Sequence, residues 1–257
     1  MIPVDDPADE RIAAYRHVGD HEALRARGLF VAEGRLVVQR LLEDGRFAVE
    51  SVLVTPAAQA SLGAVLDASR APVLVCPATV LNAVTGYNFH RGCLALARRP
   101  AAPESVQALC GADRLLVLEG VGNPDNVGGI FRSALALGAG GIVLDERSGD
   151  PLYRKAIRTS MAATLRVPFA RAPLSDALAI MRSHGFQLLA LTPSPDAVDV
   201  RDVIPAAKTA LLLGAEGGGL SNDALDSADI RVRIPIDAAA DSLNVAVAAG
   251  IAMHSLR

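Results

Sequence analysis

Residues 115–145 constrain this chain more than any other stretch, because few local architectures satisfy them. The apolar run Leu115-Leu116-Val117-Leu118 reads as a buried strand. Turn formers follow over residues 120–125, with Gly122, Asn123 and Pro124 at the centre. Asn126 is then expected to cap a helix whose apolar positions, Ile130, Phe131, Ala134, Leu135 and Leu137, cover one side. Gly138 and Gly140 stop that helix, and Ile142-Val143-Leu144 opens a second buried strand. Strand, helix and strand in this order predict an α/β fold with a parallel sheet and helices packed on it.

The loop excludes two common nucleotide sites. Gly120-Val121-Gly122 after a strand suggests a dinucleotide fingerprint, but Asp125 stands where the third glycine must let helix and strand approach. No Gly-Lys-Ser/Thr follows, so it is not a phosphate-cradling P-loop either. Gly128 and Gly129 admit another group against the first helical turns, and Arg132 points away from the Ile130/Ala134 side.

The 257 residues suffice for one large domain or two modest ones. A hydrophobic content of 51% with a net charge of -3 predicts a soluble globular protein and does not announce nucleic acid. All basic residues except Lys155 and Lys208 are arginine, the better ligand for phosphates and base edges. Cys76, Cys93 and Cys110 show no paired spacing, which predicts neither disulfides nor zinc and fits a reducing cytoplasm. The start, MIPVDDPADER, is acidic without an apolar core, unlike a signal peptide. The longest apolar run, residues 245–253, is too short to span a bilayer, so no membrane association is expected.

Residues 1–100 alternate strands and helices. Short strands are expected at residues 29–31, 52–54, 73–75 and 92–97, with helices at 35–43, 56–69 and 77–84 between them. This predicts a small α/β domain. Proline and alanine over residues 98–111 have linker composition, so residues 1–100, 101–112 and 113–257 are expected as domain, linker and domain. Over residues 150–171, Arg154, Lys155, Arg158, Arg166 and Arg171 face the single acid Asp150. Arg154 and Arg158 are four apart and share a helix face, either as a solvated surface or as a patch that neutralises RNA phosphates. A helix over residues 174–181 and a strand over 186–191 lead to the irregular Thr192-Pro193-Ser194-Pro195. The buried run Ala210-Leu211-Leu212-Leu213 enters Gly214-Ala215-Glu216-Gly217-Gly218-Gly219-Leu220. Ile234-Pro235-Ile236 then precedes Ser242-Leu243-Asn244-Val245 and a last helix.

Three of these stretches, in this order and each at a strand end, resemble the three motifs of the SpoU/TrmH branch of the SPOUT RNA methyltransferases: the 126–132 loop and helix, 214–220, and 234–245. The run Arg154-Lys155-x-x-Arg158-x-Ser160-Met161-x-Ala163 is similar to the family as well. Arg25-x-Arg27-Gly28-x-Phe30-x-x-Glu33-Gly34 resembles the N-terminal substrate-binding domain attached to many such enzymes. The resemblance covers residues 113–257 closely and residues 1–100 more weakly.

The resemblance implies a C-terminal SPOUT domain with a deep trefoil knot, preceded by a small α/β RNA-binding domain, in a homodimer whose sites are completed by the partner subunit. It implies an RNA 2′-O-ribose methyltransferase that uses S-adenosylmethionine and no metal. Thr192, Gly214, Gly217, Ile234, Ile236, Ser242 and Leu243 would hold the cofactor, the glycines by leaving backbone bare for an adenosine. Ser242 and Asn244 have a second reading as caps of the last helix. Arg132, Asn126, Glu216 and Asn244 would carry the chemistry, which is chiefly in-line positioning of two large reactants. Two roles stay open for Arg132: activation of the 2′-hydroxyl, or a charged clamp on the adjoining phosphate, since a guanidinium resists deprotonation. Glu216 is expected to hold Arg132 or a ribose hydroxyl, or to be an exposed loop acid. Arg25, Arg27, Arg154, Lys155 and Arg158 would contact RNA. Ribosomal RNA is the expected substrate because the N-terminal unit is a full α/β domain; transfer RNA is the alternative, and a non-catalytic RNA-binding protein is a further one.

Overall fold

The structure is a computed structural model that describes residues 1–86, 88–101 and 104–256, without the side chain of His17. In chain order the first elements are β1 (Ile2–Pro3), α1 (His21–Ala26), β2 (Leu29–Glu33), α2 (Arg35–Asp44), β3 (Val49–Val54), α3 (Pro56–Asp67), β4 (Val73–Val75), α4 (Ala78–Thr85) and β5 (Cys93–Arg98). There follow α5 (Val106–Leu109), β6 (Arg114–Glu119), α6 (Pro124–Leu137), β7 (Gly141–Leu144), α7 (Arg154–Thr159), β8 (Phe169–Arg171) and α8 (Leu174–Ser183). The last are β9 (Gln187–Leu191), β10 (Val198–Asp199), β11 (Thr209–Gly214), α9 (Asn222–Ser227), β12 (Ile230–Arg233) and α10 (Val245–Ser255).

The chain divides into two compact units, Met1–Ala101 with Leu152–Leu165, and Ala102–Pro151 with Arg166–Arg257. Each has its own sheet and core. In the first unit the sheet order is β1-β4-β3-β5-β2, with β5 antiparallel to both neighbours. All five residues of β2 are buried. Tyr15 is fully buried there and its hydroxyl pairs with Ser51 Oγ at 2.9 Å. The segment Leu152–Leu165, expected from sequence in the second domain, groups with this unit, and α7 packs on β2.

In the second unit every strand pair is parallel, in the order β10-β12-β9-β11-β6-β7-β8. The apolar runs 115–118 and 210–213 are the adjacent central strands β6 and β11, buried on both faces as parallel strands must be. The chain builds outward from β6 through β7 to β8 and then returns to lay β11 against the other side of β6. Strand order therefore reverses beside β6, the place where α/β sheets open a crevice at the carboxyl ends of their strands.

Two local readings change. The cap of α6 is Asn123, whose side chain accepts from the Asp125 N–H at 2.9 Å, and not Asn126. Pro124 takes the first helical position, where its missing N–H leaves no bond unmade. Asn126 is thereby inside the first turn and buried. Part of the stretch of linker composition forms α5, with Val106, Leu109 and Cys110 buried in the core of the second unit. Residues 102–103 of that stretch lie outside the described residues.

Candidate active site

Four loops of the second unit leave the carboxyl ends of β6, β9, β11 and β12, and they carry the sequence motifs. Three of them, with the start of α10, line a cavity of about 590 Å³. All seven residues expected to hold a cofactor line it: Thr192, Gly214, Gly217, Ile234, Ile236, Ser242 and Leu243. Glu216 and Asn244 line it too, with Leu191, Pro193, Leu213, Asp241 and Val245, which the sequence reading did not single out. Their signal was present, since Leu191 and Leu213 are the last apolar positions of strands that end at the crevice.

The glycine-rich loop is closed on itself. Ala215 and Gly219 exchange backbone hydrogen bonds at 3.2 and 2.9 Å. A side chain at Gly214 would place its Cβ 2.1 Å from the carbonyl carbon of Gly219 and 2.2 Å from the Leu220 nitrogen. Gly214 is thus required by the return of the loop, not by space left for an adenosine as the sequence suggests. Gly217 and Gly219 adopt φ of +82° and +68°, which side chains other than glycine's rarely tolerate.

Asn244 joins the motifs. Its carbonyl accepts from the N–H groups of Ala246 and Val247 at 3.0 and 3.3 Å, capping α10. Those two backbone donors orient the amide, so its nitrogen faces the other way. There it donates to Asn126 Oδ1 at 2.9 Å and to Glu216 Oε1 at 3.1 Å. Both of its amide hydrogens and its oxygen are engaged within the protein. Asn244 is therefore a cap and a hub at once, and Glu216 takes this bond rather than one from Arg132. The geometry depends on close packing of α6 on α10: a Cβ at Gly129 would stand 2.8 Å from that of Ala246.

Arg132 is elsewhere. It is exposed and, among the described residues, makes no hydrogen bond or ion pair and does not line the cavity. At 100° per residue it projects well to one side of the face on which Gly129 and Ser133 meet α10.

A second network holds the loops from beneath. Buried Glu119 accepts from the Ser221 N–H at 2.9 Å through one oxygen and from Arg147 at 3.2 Å through the other. Buried Asp145 accepts from the Gly120 N–H, from the N–H and Oγ of Ser148, and from Arg147. Burial pushes the Asp145 carboxyl up, but the hydrogen bonds from Ser148, Gly120 and Arg147 pull it down further, leaving it below the usual carboxylate value. Arg171 donates to the carbonyls of Asp145, Ser148 and Gly149, pinning the same turn.

The expected RNA residues lie in the first unit. Arg25 and Arg27 are exposed around the end of α1. Arg154 and Arg158, expected on a free face, both reach the buried Glu33 carboxylate, at 3.3 and 3.7 Å. Lys155 is half-buried beside them. Among the described residues no group of three His, Cys, Asp or Glu is placed to hold a metal ion. No helix among them is long and apolar enough to cross a membrane.

Residues 113–254 match the model of the SpoU rRNA Methylase family. An uncharacterised tRNA/rRNA methyltransferase of Mycobacterium bovis is 40% identical over 98% of this chain and 90% of its own length. The AdoMet-bound rRNA methyltransferase structure from Sinorhizobium meliloti is similar at a TM-score of 0.83, with 26% identity over 99% of this chain and 97% of that one. A structure described as an RNA 2′-O ribose methyltransferase reaches a TM-score of 0.80 with 26% identity, over 99% of this chain and 98% of the other.

Proposed function

This chain belongs to the SpoU rRNA methylase family, and from that membership we propose that it methylates a ribose 2′-hydroxyl of ribosomal RNA with S-adenosylmethionine as donor. In coarser terms it is an S-adenosylmethionine-dependent tRNA/rRNA methyltransferase. The observation that carries the finer reading is the hydrogen-bonded trio Asn126, Asn244 and Glu216 at the rim of the cavity. Sequence motifs separated by a hundred residues meet there in one polar arrangement beside a nucleoside-sized space.

The cavity suits the donor. Its volume falls within the ~300–1,000 Å³ typical of small-molecule sites. Leu191, Leu213, Ile234, Ile236 and Leu243 supply apolar walls for a purine, while the glycine loop and Thr192 offer main-chain and hydroxyl groups to fix its polar edges. When bound, S-adenosylmethionine supplies an activated methyl group on a sulfonium. The protein's part is to align the attacking hydroxyl with it. The trio braces the rim, and the Glu119–Asp145 network braces the loops below, so little reorganisation is left to the reaction.

Arg132 is the residue we assign to the hydroxyl, chiefly as a clamp on the adjoining phosphate, because a planar guanidinium fork grips an oxyanion with two parallel bonds. Its exposed position away from its own cavity supports a homodimer in which it serves the partner's site. Leu135, Val247 and Ile251 are also exposed on α6 and α10, an apolar surface of the kind a second copy would cover. The deep trefoil knot belongs to the same proposal. The first unit, a full α/β domain, supports a large structured RNA as substrate, and its exposed arginines would grip it.

Methyl transfer from labelled S-adenosylmethionine to purified ribosomal and transfer RNA, followed by mapping of the methylated riboses, tests the reading. Label in ribosomal RNA at a 2′-oxygen is expected. Label on a base nitrogen or carbon, or in transfer RNA alone, overturns the finer statement. Sedimentation of the full chain tests the dimer.

A further inference from the structure

In the first unit three guanidinium groups converge on one carboxylate. Glu33 is 5% exposed, and its Oε1 lies 3.1 Å from Arg91 Nε and 3.7 Å from Arg158 Nη1, while its Oε2 lies 3.3 Å from Arg154 Nη1. One arginine would neutralise it. Three guanidinium groups gathered on one carboxylate are held close together, where they repel each other. The outer parts of these side chains are open to solvent, 51% for Arg91, 27% for Arg154 and 37% for Arg158, so an anion can reach them from outside while the carboxylate holds them from within.

Neighbouring groups share the same sign. Gly34 begins α2 without a side-chain cap, and a Cβ on it would meet the Arg91 side chain at 3.5 Å, so the guanidinium of Arg91 covers the start of that helix. Arg35 follows, exposed and without an ion pair among the described residues. In the chain Tyr153 directly precedes Arg154, and its ring lies 4.6 Å from that of His21, tilted by 55°. Two half-exposed rings beside a cationic cluster suit a nucleotide better than a bare inorganic anion, because a base can stack where its phosphate is held.

We propose that Glu33 is a positioning residue that sets Arg91, Arg154 and Arg158 as a single clamp for a backbone phosphate of the RNA substrate. Arg91, about sixty positions before the other two, becomes an RNA-contacting residue that no helix periodicity reveals. Arg154 and Arg158 reach the RNA as members of this clamp and not as an independent solvated face. The proposal rests on the RNA-substrate reading above.

The test is equilibrium binding of labelled bacterial ribosomal RNA to the full chain across a salt series, for wild type, Arg91→Gln, Arg158→Gln and Glu33→Gln. Thermal unfolding and calorimetry with S-adenosylmethionine verify that each variant is folded. Arg91→Gln and Arg158→Gln are each expected to lower the slope of log affinity against log salt by about one counterion, with a several-fold loss of affinity. Glu33→Gln makes the protein more positive by one charge, so general electrostatics alone would tighten RNA binding. The clamp instead requires weaker binding and a shallower slope. Tighter binding by Glu33→Gln, or unchanged slopes in both arginine variants, overturns the proposal. If Glu33→Gln does not fold, the two arginine variants decide. Wild type that binds no RNA at any salt overturns the substrate reading and the clamp with it, an outcome distinct from wild-type binding that the variants leave unaltered.

Discussion

Asn244 donates its amide to Asn126 Oδ1 at 2.9 Å, joining residues 118 positions apart in the chain. One bond thus ties the first turn of α6 to the cap of α10, and the same nitrogen reaches Glu216 in the glycine loop.

Asn244→Asp separates the two duties of that side chain. An aspartate still caps α10, since a carboxylate accepts from the first-turn N–H groups. It cannot donate to Asn126, and it faces Glu216 with a like charge. Stability should fall by only about 1 kcal/mol, whereas methyl transfer should fall at least about tenfold. Thermal unfolding and single-turnover methylation measure the two, and wild-type turnover would show that the hub is dispensable.

Gly214→Ala drives a Cβ into the backbone of Gly219 and Leu220. The loop has to open to relieve it, so the variant should lose about 2 kcal/mol or more and bind S-adenosylmethionine more weakly. Calorimetry and unfolding should move together. A fall in affinity with unchanged stability would mean that the glycine serves the ligand instead.

Arg132→Ala removes an exposed side chain with no partner among the described residues, so stability should stay within about 0.5 kcal/mol. Donor binding should persist and methyl transfer should fall by about a hundredfold or more. Arg132→Lys distinguishes the two chemical roles. A clamp that needs the planar fork fails with lysine at every pH. A base is partly restored as pH rises toward the lysine value of ~10.4. Single-turnover rates across pH decide, and full activity in Arg132→Ala would remove this residue from the mechanism.

Asp145 makes acid stability a local test. Its carboxyl lies below the ordinary value in the folded state, so the charged form stabilises the fold at neutral pH. That contribution is complete above the unfolded value of ~3.9 and is lost as pH falls through the lower folded one. The stability gap between wild type and Asp145→Asn should therefore narrow on acidification below about pH 4. A gap that stays constant through that range would contradict the assignment.

Ala162 holds φ of +68° after Met161 at +53°, two consecutive non-glycine residues in the left-handed region. An L side chain there costs about 1–2 kcal/mol, and glycine's greater freedom in the unfolded chain offsets part of the relief. Ala162→Gly should stabilise the protein by about 0.5–1 kcal/mol in denaturant unfolding. A loss of stability would show that the methyl group's packing outweighs the strain.

Much of the fold and of the cavity was legible because backbone demands are local. Buried runs such as 115–118 and 210–213 can be little else than central parallel strands, and their ends must turn. Residues at those ends therefore gather along one edge of the sheet, and every expected cofactor position lines the same cavity. The cap of α6 was misread: Asn126 is as good a capping residue by type, but Pro124 at the first helical position makes Asn123 the cap.

Sequence by itself determined the longer elements, the parallel sheet, the loops at its carboxyl edge and the family, since each follows from spacing within a few residues or from motif order. Tertiary structure alone decided which side chains meet. Asn126 and Asn244 are both good caps, and only the approach of α6 to α10 across Gly129 turns one of them into the other's acceptor. Gly214 reads as room for a ligand until the returning loop occupies that room. Arg154 and Arg158 share a solvated face by helical period, yet α7 packs on β2, where a buried carboxylate 121 positions before Arg154 in the chain draws both of them in. Periodicity reports which face of an element is apolar, but a bond between polar groups distant in sequence exists only where packing has excluded the water they would otherwise choose.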